Sequence, residues 1–197
     1  MGGLVFDVAR SALLIHDVVN DFLETGEPAF DAAFANVRRL AGAARRAGLT
    51  VVFAGPGDGG AGVPPRARPG PKLHWGSPGV DPPVELGPAP GDVMIRKPRY
   101  GAFHGSGLAR WMRDNGRDTL IVCGLSLAGG VETSIRDAHN HDLASILVAD
   151  ACLCRAVPDQ GYGAVSRAEV EKVVLSVLAQ RFARVTTTDA IVAALNV

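Results

Sequence analysis

The stretch Ser11-Ala-Leu-Leu-Ile-His-Asp17 constrains this chain most. It is an apolar run that ends in an acid, and Asn20-Asp21-Phe22 follows where the chain should turn. Such a run reads as a strand buried on both faces, the kind found in a parallel sheet. A carboxylate at the C-terminal end of that strand lies where open α/β sheets bind their ligands. Asp17 is therefore a candidate catalytic group; it can equally serve as a cap for the segment that follows.

The rest of the chain alternates in the same manner. Apolar runs at 49–53, 92–96, 119–123, 143–149 and 184–187 read as strands. Helical periodicity marks 31–47, 107–115, 131–141 and 166–181, with a final helix capped by Asp189. Ser166-Arg-Ala-Glu169 has the form of a capping box. Strand–helix alternation of this kind builds a mostly parallel sheet with helices on both faces and right-handed crossovers. The 197 residues fit one domain, 1–197.

One segment breaks the alternation. Residues 55–83 hold eight Gly and eight Pro. A loop this long in a compact domain is either functional or a solvated insertion. Its Arg66, Arg68, Lys72 and His74 would suit an anionic ligand beneath a lid, and Trp75 needs something to pack on.

Composition excludes several classes. Basic and acidic residues number 20 each, so nothing favours nucleic acid or an anionic membrane as a partner. No apolar stretch approaches the ~18 residues of a membrane span, and the N-terminus lacks the pattern of a signal peptide. The expected compartment is cytoplasmic. The three cysteines, Cys123, Cys152 and Cys154, form no disulfide framework and lack metal-site spacing. Cys123 ends an apolar run and reads as a small buried hydrophobe.

Two further features belong with Asp17. Lys97 ends the third strand in Ile95-Arg-Lys97-Pro-Arg-Tyr-Gly-Ala-Phe103, and Pro98 biases it toward extended backbone. Strand ends at one edge of a parallel sheet converge, so Lys97 can reach Asp17, hold its carboxylate charged and orient a substrate anion. Alone it would read as a surface lysine. Gly124-Leu-Ser-Leu-Ala-Gly-Gly-Val-Glu132 is a strand end, a glycine-containing turn and a helix start, a place where backbone N–H groups can meet an anion.

Together these motifs resemble the isochorismatase-like hydrolase family, within the cysteine hydrolase superfamily. The matching stretches are 11–22, 95–103 and 120–151, with 182–189 at the end. The resemblance implies a single-domain, Rossmann-like three-layer sandwich: a six-stranded parallel sheet of order 3-2-1-4-5-6 with helices on both faces. Amidase members use an Asp, a Lys and a Cys. The first two positions match Asp17 and Lys97, and the nucleophile's position is Gly130. A thioester mechanism needs a thiolate, so Cys-dependent amidase activity is disfavoured. The zinc ligands of nicotinamidases are not evident, and no metal or other cofactor is implied.

Isochorismatases, including those acting on 2-amino-2-deoxyisochorismate in phenazine pathways, lack the Cys and often carry His-Asp in the first motif, as His16-Asp17 does here. The resemblance thus implies hydrolysis of a vinyl ether in a small anionic metabolite, with Asp17 as general acid and Lys97 orienting substrate. The backbone of Leu127, Ala128, Gly129 and Gly130 would shape the pocket, with Ser126 on the same turn. Phe22, Trp75 and Tyr100 would line it and Arg99 would contact an anion; Phe103 reads as core. Members commonly form homodimers or larger homo-oligomers. Departures from the isochorismatase pattern near Gly55 and at 126–128 keep open a second reading, a repurposed member that binds a metabolite or a protein. A third is an amidase using Ser126. Contact between Asp17 and Lys97 beside an open pocket would separate the first reading from the second.

Overall fold

The computed structural model describes residues 4–23, 27–57 and 77–196. Trp75 and the basic residues at 66, 68, 72 and 74 lie outside the described residues.

Six strands pair in parallel throughout: β1 (Ser11–His16), β2 (Thr50–Pro56), β3 (Val93–Lys97), β4 (Thr119–Leu125), β5 (Ala144–Leu153) and β6 (Arg184–Thr186). Their order is β3-β2-β1-β4-β5-β6, as the resemblance implied. Every residue of β1 is buried, which explains its uninterrupted apolar sequence. Lateral burial falls towards the edges, where Val93–Lys97 alternates.

Helix α1 (Pro28–Arg46) carries the chain from β1 to β2; α2 (Leu108–Asp114), α3 (Glu132–Asn140) and α4 (Arg167–Arg181) carry it the other way across the sheet. Right-handed crossovers then place α1 on one face and the others on the opposite face. The last helix, α5 (Thr188–Leu195), packs beside α1 and completes the three layers. In α1 the residues Phe30, Ala33, Val37, Leu40, Ala41 and Ala44 recur at helical spacing and are buried.

Several boundaries differ from the expected ones. Helix α1 begins three residues early because Pro28 fits its first turn, where the missing N–H costs nothing. The capping box at Ser166–Glu169 is present in both directions. The cap of α5 is Thr187, whose hydroxyl accepts from Ala190 N; Asp189 lies in the first turn and pairs with Arg39 at 2.6 Å. Strand β2 extends through Gly55 and Pro56, so the Gly/Pro-rich segment starts in the sheet, and Pro78–Val80 forms a single helical turn.

Strand β5 runs four residues past its expected end. Its register against β4 jumps, with Val122 opposite Leu147 and Gly124 opposite Cys152, so extra β5 residues bulge out between these pairs. Asp150 sits in the bulge, and its carboxylate accepts from Thr188 N at 2.8 Å and Thr188 Oγ1 at 2.9 Å. Beyond the bulge the strand carries Leu153, and after it Cys154 and Arg155, to the end of the sheet where β1 and β4 finish.

Candidate active site

The order of the sheet reverses direction between β1 and β4, and ligand crevices of open α/β sheets open at that point. Asp17 follows the last residue of β1, held in register by its N–H to Ala54 O at 2.9 Å. Its φ is +50°, a left-handed value that Asp and Asn adopt more readily than other side-chain residues. The chain thus turns sharply where the acid sits.

Lys97 ends β3, two strands from β1. At the usual strand spacing that is roughly 10 Å, which the buried lysine stem covers. Its Nζ lies 2.8 Å from Asp17 Oδ2, with Lys97 only 4% exposed and Asp17 13%. The same ammonium donates to Arg99 O at 3.3 Å. Asp17 Oδ1 is buried and has no hydrogen-bond partner among the described residues. One carboxylate oxygen is therefore tied to a cation and the other has no hydrogen-bond partner among the described residues.

His16 is fully buried, with Nδ1 2.6 Å from Leu125 O and Nε2 2.9 Å from Tyr100 O. Nδ1 also lies 3.4 Å from Asp17 Oδ2. Burial pushes the imidazole below its ordinary proton affinity; Asp17 pulls it up, Lys97 pushes it down, and the two carbonyls pull it up. Burial outweighs the groups that favour the charged ring. A second buried group, Ser134 of α3, donates to Gly130 O at 2.6 Å and accepts from Ala102 N at 2.9 Å. The loop after β3 is thereby fastened to both β1 and the turn after β4.

That turn, Leu127–Val131, is one wide helical turn with non-helical backbone at Ala128 and Gly129, preceded by a cis Leu125–Ser126 peptide. Asp17, Phe22, Tyr100, Ser126, Gly129 and Gly130 line a cavity of about 340 Å³, a size that suits a small metabolite. Leu127 is buried in the core, Ala128 is exposed and outside the cavity wall, and Arg99 does not line the cavity but donates to Pro98 O. Phe103 packs in the core, as its sequence context implied.

The opposite wall was not legible in the sequence. Phe30 of α1 and Leu125, Leu153, Cys154 and Arg155 complete the lining. Arg155 is the only cation among the described lining residues, and its guanidinium lies 5.6 Å from the Phe30 ring centre, a cation–π distance. A signal existed: Asp150-Ala-Cys-Leu-Cys-Arg155 continues the small and apolar character of the strand.

No thiol in the cavity is activated. Cys154 is pushed up to about 11, first by burial and then by Glu171. Cys152 is pushed up to about 12 and Cys123 well above its ordinary value, both chiefly through burial. Among the described residues no histidine hydrogen-bonds Ser126: His16 faces two carbonyls, His139 and His141 pack on the Phe182 and Phe103 rings, and His104 is exposed. Among the described residues no three His, Cys, Asp or Glu side chains gather as a metal-ligand set. Nor is any described helix long and apolar enough to cross a membrane.

The fold, with an Asp–Lys pair at the switch point, defines a small-molecule site of the doubly wound parallel α/β class. The model of the isochorismatase domain matches residues 11–190, and the chain belongs to the isochorismatase family, within the isochorismatase-like cysteine hydrolase superfamily. A relative from Pseudomonas chlororaphis named probable isochorismatase is 37% identical over 153 residues, covering 74% of this chain and 72% of its own. The phenazine biosynthesis protein PhzD of Pseudomonas fluorescens is 35% identical over the same coverage. A ureidoacrylate amidohydrolase RutB from Variovorax paradoxus is 30% identical, covering 86% of this chain and 77% of its own. Among solved structures, a cysteine hydrolase from Pseudomonas syringae pv. phaseolicola superposes with a TM-score of 0.88 at 28% identity, covering 97% of this chain and 94% of the other.

Proposed function

We propose that this hydrolase cleaves a vinyl ether in a small anionic substrate of the isochorismate or 2-amino-2-deoxyisochorismate type, with Asp17 as the general acid. The observation that carries this reading is the asymmetry of the Asp17 carboxyl in the cavity wall: Oδ2 is bound to Lys97, whereas Oδ1 has no hydrogen-bond partner among the described residues. The relatives named isochorismatase and PhzD support the choice of substrate class.

The chemistry asks for a proton donor and a water, not a nucleophilic side chain. The reaction needs Asp17 in its protonated form, with the proton on the oxygen that Lys97 does not hold; that proton goes to the terminal carbon of the enol ether, which becomes a methyl group. The C=C π electrons form that C–H bond, and the ether oxygen shares the resulting positive charge as an oxocarbenium ion. Lys97 neutralises the carboxylate left on Asp17. Water adds to the cationic carbon and loses a proton to Asp17, restoring the acid. The hemiketal then collapses: its hydroxyl loses a proton as the C=O of pyruvate forms, the bond from that carbon to the ring's oxygen breaks, and the ring's oxygen takes a proton and leaves as the alcohol. Arg155, at the far wall, is placed to meet a substrate carboxylate.

The amidase reading finds little support here, since position 130 has no side chain and no described cysteine in the cavity wall is activated. The Asp17–Lys97 contact and the open cavity favour catalysis over the binding-only reading. Incubation of the protein with isochorismate and with its 2-amino analogue tests the assignment. Pyruvate release that is lost in Asp17→Asn supports it; no release from either substrate overturns it.

A further inference from the structure

His16 occupies a space prepared for it by two glycines. A Cβ at Gly124, whose φ is +116°, would lie 2.1 Å from His16 O. A Cβ at Gly130 would lie 2.1 Å from His16 Cε1, 2.7 Å from Nε2 and 2.8 Å from Tyr100 O. Contacts this close are repulsive and require something to move. The ring is not free to swing aside, because it is fully buried and both nitrogens face carbonyl oxygens on separate loops. The Tyr100 carbonyl is held by that same ring, so it cannot retreat while the ring stays.

We propose that His16 is a positioning residue paired with Gly130: its ring fills the volume a side chain at position 130 would take, and thereby excludes a side-chain nucleophile there, while it sits between the Leu125 and Tyr100 carbonyls. The lack of a side chain at position 130 is then a property of two positions together. A side chain at 130 becomes acceptable only when residue 16 gives up the ring. The pairing would hold for any substrate, so it stands or falls separately from the vinyl-ether reading.

The experiment is a double-mutant cycle of His16→Ala and Gly130→Ala, read by thermal and urea unfolding, with imidazole added as a probe. Each single variant should unfold at a lower temperature, by about 5 °C. The double variant should lose clearly less than the sum of the two, since the added methyl enters space the ring has left. Imidazole should raise the unfolding temperature of His16→Ala by refilling the ring's place. It should not do so for the double variant, where the Cβ blocks that place. Additive losses, or equal imidazole effects on both variants, would overturn the pairing. Should His16→Ala fail to fold, His16→Asn supports the same cycle with Gly130→Ala, and additivity there has the same meaning.

Discussion

Lys97 Nζ and Asp17 Oδ2 meet at 2.8 Å although their strands are separated by β2. The pair is largely shielded from water, and it binds one carboxylate oxygen while the other has no hydrogen-bond partner among the described residues. If Asp17 supplies the proton, Asp17→Asn removes the donor while keeping a residue that tolerates the left-handed backbone. Pyruvate formation should fall ~10²- to 10⁴-fold, with the unfolding transition retained. A variant that still releases pyruvate near the wild-type rate would remove Asp17 from the mechanism.

Lys97→Met leaves the Asp17 carboxylate buried without its cation. Losing one member of a buried pair costs about 3 kcal/mol or more, and turnover should fall along with stability. Urea unfolding and the pyruvate assay read both effects on the same preparation.

Acid should weaken the fold through His16. Its proton affinity in the folded chain lies below the ordinary value of 6.5, mainly because of burial. As pH falls through that value the unfolded chain takes up a proton that the folded chain does not. The stabilising contribution is therefore complete above pH 6.5 and is lost on acidification, by at most about 1.4 kcal/mol per pH unit. Asp118, Asp159 and Glu169 are held below values of 3.8 to 4.5 and act at lower pH. Urea unfolding between pH 8 and 5.5 should show this slope, and His16→Asn should flatten it. A fold that gains stability on acidification through this range would reverse the sign assigned to the ring.

Cys154 faces the cavity yet is held protonated, with its affinity pushed up to about 11. Iodoacetamide should label the native protein slowly at neutral pH and all three cysteines rapidly in urea. Cys154→Ser should retain pyruvate release. Rapid native labelling that abolishes turnover would return a thiol to the mechanism.

Arg155→Ala should raise KM for a carboxylate-bearing substrate by about 10- to 100-fold, the worth of a hydrogen bond to a charged group. The value of kcat should change far less. A fall in kcat at unchanged KM would place Arg155 in the transition state instead of substrate capture.

The sheet was legible because buried parallel strands leave long apolar runs, and the acid and lysine were legible because they interrupt or end such runs. The walls of the cavity were harder. In the turn after β4 the backbone at Ala128 and Gly129 departs from any helix, so no periodicity foretells that Leu127 enters the core while Gly129 and Gly130 face the ligand. Gly130 reads in the sequence as a missing nucleophile. Only the coordinates place His16, distant in sequence, in the space beside it. Leu153, Cys154 and Arg155 escaped because the bulge in β5 hides the true length of that strand.

That bulge divides the cavity into two walls with different freedom to change. The wall at 17 and 130, backed by His16 and Lys97, is built from buried, mutually constrained groups, and any substitution there disturbs several neighbours at once. The wall at 153–155 is joined to the sheet beyond an irregularity, with Asp150 and Thr188 anchoring the irregularity itself. Cys154 and Arg155, past the last β4–β5 pair at Leu125 and Leu153, can be exchanged without altering strand pairing in the centre of the sheet. Such a molecule can acquire a new preference among substrates while its proton-delivering apparatus stays as it is.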